Sequence, residues 1–326
     1  MKKHLFIIAL LFTFLLILPL TSSAIIALDD PTQPEQPTSG PGGSDYPHHG
    51  VEKYRYGYGG NRYWIFEPKV PKPDSAPLIV FNHGWCALHP FFYSEWIHHI
   101  VKRGNIVVYP QYQKGFFRET DKYTSNAINA VKDAIEILQN GKHVTPELDK
   151  FAITGHSVGG GLTANMAALA LDEGLPFPKA IMPVQPAIMA DRYEERVNFS
   201  DIPADTLMLV VVGEDDIAVG NGSGKIIFNN ATQIPLSNKD FIIQVTDTYG
   251  EPDILANHIA PVCFPFFGTV DAMDYYSTWK LFDALTDYAF YDINKEYCLG
   301  NTPEQRFMGL WSDGTPVNEL IVTDYP

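Results

Sequence analysis

Cysteine is scarce. Only Cys86, Cys263 and Cys298 occur in 326 residues, with no C-x-x-C pair and no metal-ligand spacing. That excludes a disulfide framework or a thiolate metal centre as the organising element. At most one internal bridge can form, and Cys263–Cys298 is the pair to weigh against three reduced, buried thiols. Basic side chains are also few. Lys and Arg number 23 against 38 Asp and Glu, for a formal net charge of −15. A surface of that sign repels phosphate backbones, which argues against nucleic acid, polyanionic substrates and simple adhesion to anionic lipid. Apolar residues make up 45% and charged residues 19% of the chain, enough to bury a substantial core. No internal repeat is visible.

The first residues, Met1-Lys2-Lys3-His4, precede an apolar run from Leu5 to Leu20 and the small-residue exit Thr21-Ser22-Ser23-Ala24. This is the pattern of a secretory signal peptide, with cleavage expected after Ala24. The alternative is an uncleaved anchor, because Ile25 to Leu28 extend the apolar span toward membrane length. Residues 25–50 are rich in Pro, Gly and Ser and read as a mobile linker, leaving 51–326 as the domain. Within it, short apolar runs predict strands at Tyr63–Phe66, Leu78–Phe81, Ile106–Tyr109, Phe151–Thr154, Ala180–Val184, Leu207–Val212 and Phe241–Val245. Helix-period segments run from Ser125 to Leu138, Val158 to Leu171 and Asp274 to Phe290, and a C-terminal extension follows from about residue 291. Strand and helix in alternation predict an α/β class, a mostly parallel sheet with helices on both faces. Ligands of such sheets bind at the carboxyl ends of the strands.

One of those ends carries Gly155-His156-Ser157-Val158-Gly159, a G-x-S-x-G turn between strand and helix. Glycines on either side of Ser157 admit a tight turn that exposes the hydroxyl. A hydroxyl needs a base, and His258 is the only histidine after Ser157. The base needs an acid to orient it. Strand Leu207–Val212 runs into Gly213-Glu214-Asp215-Asp216, where Asp216 is the chosen acid, Asp215 the close alternative and Glu214 a weaker one. Oxyanion donors are expected from the backbone N–H groups of Val158 and of Trp85, the latter on the Asn82-His83-Gly84-Trp85 loop. His83 and His156 are expected to be structural. Trp85, Phe91 and Phe92 are candidates for binding substrate; Tyr93, Trp96, Phe264, Phe266 and Phe267 are further aromatics near the expected mouth.

Through LIVFNHGW, ITGHSVGGG, LVVVGEDD and NHIAP the chain resembles the α/β-hydrolase superfamily. The nearest part is the secreted esterase branch of cutinases, polyester hydrolases, chlorophyllases and dienelactone-hydrolase-like proteins. The resemblance implies an eight-stranded, mostly parallel sheet and ester hydrolysis through an acyl-serine, without cofactor or metal. True dienelactone hydrolases carry cysteine where this chain has Ser157, so that activity is not implied. The rival expectations are a serine peptidase or acyltransferase on the same residues, or a catalytically inactive surface-binding homologue. A monomer that is secreted or held at the cell surface, acting on small or polymeric hydrophobic esters, completes the expectation, with a membrane as partner only if the leader is retained. Activity should fall as His258 takes up a proton.

Overall fold

Alternation along the strands divides the interior into two layers. In β3 (Ser75–Asn82), Leu78 and Val80 face one layer while Ile79 and Phe81 face the other. The same division recurs in β4 (Ile106–Pro110), β5 (Thr145–His156) and β7 (Leu207–Gly213). Strands apolar on both sides must be covered on both sides, so they read as continuous apolar runs and occupy the middle of the sheet. These relations come from a computed structural model that describes residues 30–115, 120–188, 197–263 and 268–326. The leader and Phe264, Phe266 and Phe267 lie outside the described residues.

With β1 (Val51–Tyr56), β2 (Tyr63–Pro68), β6 (Pro178–Val184), β8 (Lys239–Gln244) and β9 (Ile321–Thr323), the sheet has nine strands in the order β1-β2-β4-β3-β5-β6-β7-β8-β9. The run from β4 to β8 is parallel, while β1, β2 and β9 join it antiparallel. Helices α2 (Tyr123–Leu138), α3 (Val158–Leu169) and α4 (Gly222–Asn230) supply one layer. Helices α1 (Ser94–Lys102) and α5 (Lys280–Tyr291) supply the other; a π-helical turn, Asp274–Trp279, leads into α5.

Nine strands replace the expected eight, and the extra one comes from the C-terminal extension. Phe241, Ile242 and Ile243 of β8 pair with Thr323, Val322 and Ile321, so the tail covers an edge that would otherwise expose open backbone groups. A short helix α6 (Pro303–Arg306) anchors it: Lys280 Nζ donates to the carbonyls of Glu304, Gln305 and Phe307. Trp311, Val317 and Leu320 of the tail are buried against α5 and its neighbours.

The segment from Pro31 to Gly50 has linker composition yet is strapped to the domain. Glu251 N–H donates to Pro31 O at 2.9 Å, Thr32 and Ser312 exchange two hydrogen bonds, and Gly42 N–H donates to buried Asp283 at 2.8 Å. The Gly42 site admits only glycine: φ is +79° and a Cβ would lie 2.1 Å from the Tyr275 carbonyl oxygen. Of the two alternatives for the cysteines, the Cys263–Cys298 bridge is not formed. All three cysteines are free, and Cys298 is buried with its Sγ against the Lys295 carbonyl.

Candidate active site

Strand β5 ends at His156 and α3 starts at Val158, leaving Ser157 alone on the corner between them. Its φ of +58° and ψ of −124° are strained for a residue with a Cβ, at a cost of about 1–3 kcal/mol. The corner closes because its neighbours have no side chains. A Cβ on Gly155 would come within 2.6 Å of Asn82 O, and one on Gly159 within 2.2 Å of the same atom. Four backbone hydrogen bonds hold the serine, one from its N–H to Val184 O and three to its carbonyl from Gly160, Gly161 and Ala187.

The structure brings Ser157, His258 and Asp216 into one hydrogen-bonded line. Ser157 Oγ lies 2.9 Å from His258 Nε2, and His258 Nδ1 lies 2.8 Å from Asp216 Oδ2. They sit on loops following β5, β8 and β7, three parallel strands that bring their carboxyl ends to one edge. Asp216 is buried, and its other oxygen accepts the N–H groups of Ala218 and Val219 at 3.0 Å each. Those bonds fix its orientation.

The neighbouring carboxylates have different tasks. Asp215 Oδ2 accepts from Thr246 Oγ1 at 2.5 Å, and Glu214 Oε1 from Thr246 N–H at 2.5 Å. Thr246 Oγ1 is in turn the acceptor for Ala256 N–H at 3.0 Å, two residues before His258. Asp215 is thus bonded to Thr246, and Asp216 to the imidazole; Asp215 braces the loop that carries His258.

On the other side of Ser157 stands the loop after β3. A Cβ on Gly84 would meet the Tyr93 hydroxyl at 2.8 Å and Ser157 Cβ at 3.4 Å, so the backbone passes directly beside the serine. The turn through Trp85 and Cys86 is tied by Ala87 N–H to Gly84 O at 3.0 Å and by Cys86 N–H to Gln113 Oε1 at 2.8 Å. Val158 is the first residue of α3, where backbone N–H groups point out of the helix end. Trp85 and Phe91 are each 39% exposed, and Phe92 stacks on Phe91 with centroids 4.2 Å apart. Tyr93 and Trp96, by contrast, are core residues.

His83 and His156 flank this centre in the interior. Burial pushes His83 down to about 4, while the Gly84 and Gln111 carbonyl oxygens, 2.6 and 2.8 Å from its two ring nitrogens, oppose that shift; the neutral ring donates to one of them. The ring stacks on Tyr112 at 4.1 Å. His156 is pushed down to about 3, first by burial and then by the charge of nearby His258, whose ring centre is 4.7 Å away. Both are neutral across the physiological range. Sequence reasoning passed over Gln113, Gln185 and Thr246. Gln185 had one signal, a polar residue in Met182-Pro183-Val184-Gln185 at the ligand-binding end of a buried strand.

The sheet order, the sharp corner after β5 and the loop placement together decide the fold. It is an α/β-hydrolase fold. Residues 62–197 match the family model described as Chlorophyllase. A search of curated proteins returned no match. Fold and family match together support a hydrolase of the α/β-hydrolase type that acts on esters. The matched stretch contains the Gly84–Trp85 loop and Ser157 and ends before Asp216 and His258, so the association of those two with the serine rests on geometry alone. Among the described residues no group of three His, Cys, Asp or Glu is arranged to hold a metal ion, and no helix is long and apolar enough to cross a membrane.

Proposed function

We propose that this protein is an exported serine esterase that cleaves hydrophobic carboxylic esters through an acyl-serine intermediate. The observation that carries this is the unbroken line Ser157 Oγ–His258 Nε2, His258 Nδ1–Asp216 Oδ2, with distances of 2.9 and 2.8 Å. His258 Nε2 removes the proton as Ser157 Oγ attacks the ester carbonyl, and the resulting imidazolium is stabilised by Asp216. The oxyanion is held by the N–H groups of Val158 and Trp85, a contribution of about 3 kcal/mol per donor in such sites. His258 then returns the proton to the departing alcohol. Water repeats the sequence on the acyl-serine and regenerates the hydroxyl.

The choice of a hydrophobic ester rests on what surrounds the line. The residue after Asp216 is Ile217, fully exposed, and the residue after His258 is Ile259, 42% exposed. Trp85 and Phe91 add exposed aromatic surface from the β3 side. The loops that carry Asp216, His258 and Trp85 thus each present an apolar side chain to solvent, which suits an uncharged acyl or aryl group. Export is read from the leader ending at Ala24.

The test is a panel of p-nitrophenyl esters from acetate to decanoate beside the matching p-nitroanilides, with wild type and Ser157→Ala. Ester turnover that Ser157→Ala abolishes, with anilides untouched, is expected. Preferential anilide cleavage would replace the esterase with a peptidase, and no turnover of either series would leave a binding protein.

A further inference from the structure

Ser157 and His258 are each preceded by a residue tied into one chain of uncharged, buried side chains. Gly84 N–H donates to the Tyr93 hydroxyl oxygen at 3.0 Å, and the Tyr93 O–H lies 2.8 Å from His156 Nδ1. His156 Nε2 is 3.1 Å from Gln185 Oε1, and Gln185 Nε2 donates to Asn257 O at 2.8 Å. The donors and acceptors fit in a single direction. Tyr93 accepts from Gly84 and donates to His156 Nδ1; the opposite nitrogen then carries the proton and donates to the Gln185 carbonyl; the Gln185 amide N–H is left for Asn257.

That order requires a neutral His156, and burial keeps it neutral. Tyr93, His156 and Gln185 are all buried. Gln185 also has a φ of +44°, unusual for a residue with a side chain, and it is held there by its N–H on Val211 O at 2.7 Å. Space for its amide depends on Gly213, where a Cβ would lie 2.9 Å from Gln185 Nε2 and 2.2 Å from Ala256 O. A second bond, from Gln185 Nε2 to Gln244 Oε1 at 3.4 Å, continues to Ser277 through Gln244 Nε2 at 3.0 Å.

We propose that Tyr93, His156 and Gln185 are positioning residues: a one-way hydrogen-bonded chain that sets the distance between the Gly84–Trp85 loop, Ser157 and the His258 loop. The proposal rests on the esterase reading of the same centre. Being uncharged, the chain fixes His258 without adding a formal charge that would compete with Asp216 for the imidazolium. None of its members touches the reacting atoms, so each acts through the loop it holds.

Gln185→Glu and Tyr93→Phe are nearly isosteric and test it. The carboxylate that Gln185→Glu introduces still accepts from His156 but cannot donate to Asn257 O; once protonated it can do both. Measured on p-nitrophenyl butyrate, the ratio of Gln185→Glu to wild-type kcat is expected to rise toward acid. At pH 8 we expect kcat to fall about 10- to 100-fold with KM changed less than about threefold, the pattern of misplaced rather than missing groups. Tyr93→Phe should show the kcat loss without the pH-dependent recovery. A Gln185→Glu ratio flat or falling toward acid, or kcat within twofold of wild type, overturns the proposal. Failure of the esterase reading is separate and shows as a wild type that turns over no ester. Should Gln185→Glu not give a cooperative melt, Gln185→Leu and Tyr93→Phe are judged on the kcat and KM criterion alone, with kcat within twofold of wild type again fatal.

Discussion

Two buried polar regions of this molecule are built on opposite rules. Beneath Ser157 the groups are uncharged: His83 and His156 are held neutral by burial, and Tyr93, Gln113 and Gln185 carry the hydrogen bonds. Between α1 and α5 the groups are charged. Asp283 Oδ2 lies 2.8 Å from His99 Nε2 and 3.2 Å from Arg103 Nε, and it accepts Gly42 N–H from the N-terminal strap. Burial alone would raise the Asp283 carboxyl. The charges of His99 and Arg103 and the hydrogen bonds from His99 and Gly42 outweigh that and hold it below the usual carboxylate range. Formal charge serves where a peripheral segment must be clamped. Beneath the imidazole that has to gain and lose a proton the packed groups are neutral, so they add no formal charge to that of Asp216.

The contrast breaks most visibly at the serine itself. Ser157→Ala should lower kcat/KM on p-nitrophenyl butyrate by about 10,000-fold to a million-fold while the melt stays cooperative. Asp283→Ala should do the reverse. Uncovering His99 and Arg103 costs about 3–5 kcal/mol in urea unfolding, and kcat per folded molecule stays within about twofold. The stability that Asp283 contributes is present above the ordinary carboxylate range and is lost as pH falls through its lowered folded value, so the variant should lose that acid dependence.

His83 sharpens the comparison from the neutral side. Its folded value of about 4 lies below the ordinary histidine value of about 6.5. Between those values the unfolded chain binds a proton that the folded chain lacks, so wild type loses stability as pH falls through that window. His83→Gln should make the slope of unfolding free energy against pH shallower there by about 1.4 kcal/mol per pH unit. The smallest effect belongs to the exposed rim. Ile217→Ser should raise KM for p-nitrophenyl decanoate about two- to fivefold and leave the acetate unaffected, since only part of one aliphatic side chain is lost.

The same contrast explains what the sequence makes legible. Buried parallel strands need both faces apolar, so LIVF and LMLVVV stand out as runs, and the strand-to-helix turn at Ser157 needs glycines at set positions. His258 is a candidate because no other histidine follows the serine. Asp215 and Asp216 cannot be separated by composition, because what divides them is which one faces Thr246 and which one the imidazole. The charged periphery is harder still. The strap reads as a linker, and its attachments at Pro31 and Gly42 are made by backbone groups that leave no mark on side-chain pattern. Strand β1 is an edge of mixed charge and aromatics, and β9 is three residues long; both owe their form to the strands they pair with. Gln185 is legible only as an oddity, since its role depends on the residue before His258.

The most direct test of the esterase reading is to treat the protein with a fluorophosphonate and map the modified peptide by mass spectrometry. A single adduct on Ser157, formed by wild type and lost in both Ser157→Ala and His258→Ala, is the predicted result. An adduct on another residue, or labelling of undiminished rate in Ser157→Ala, would contradict it.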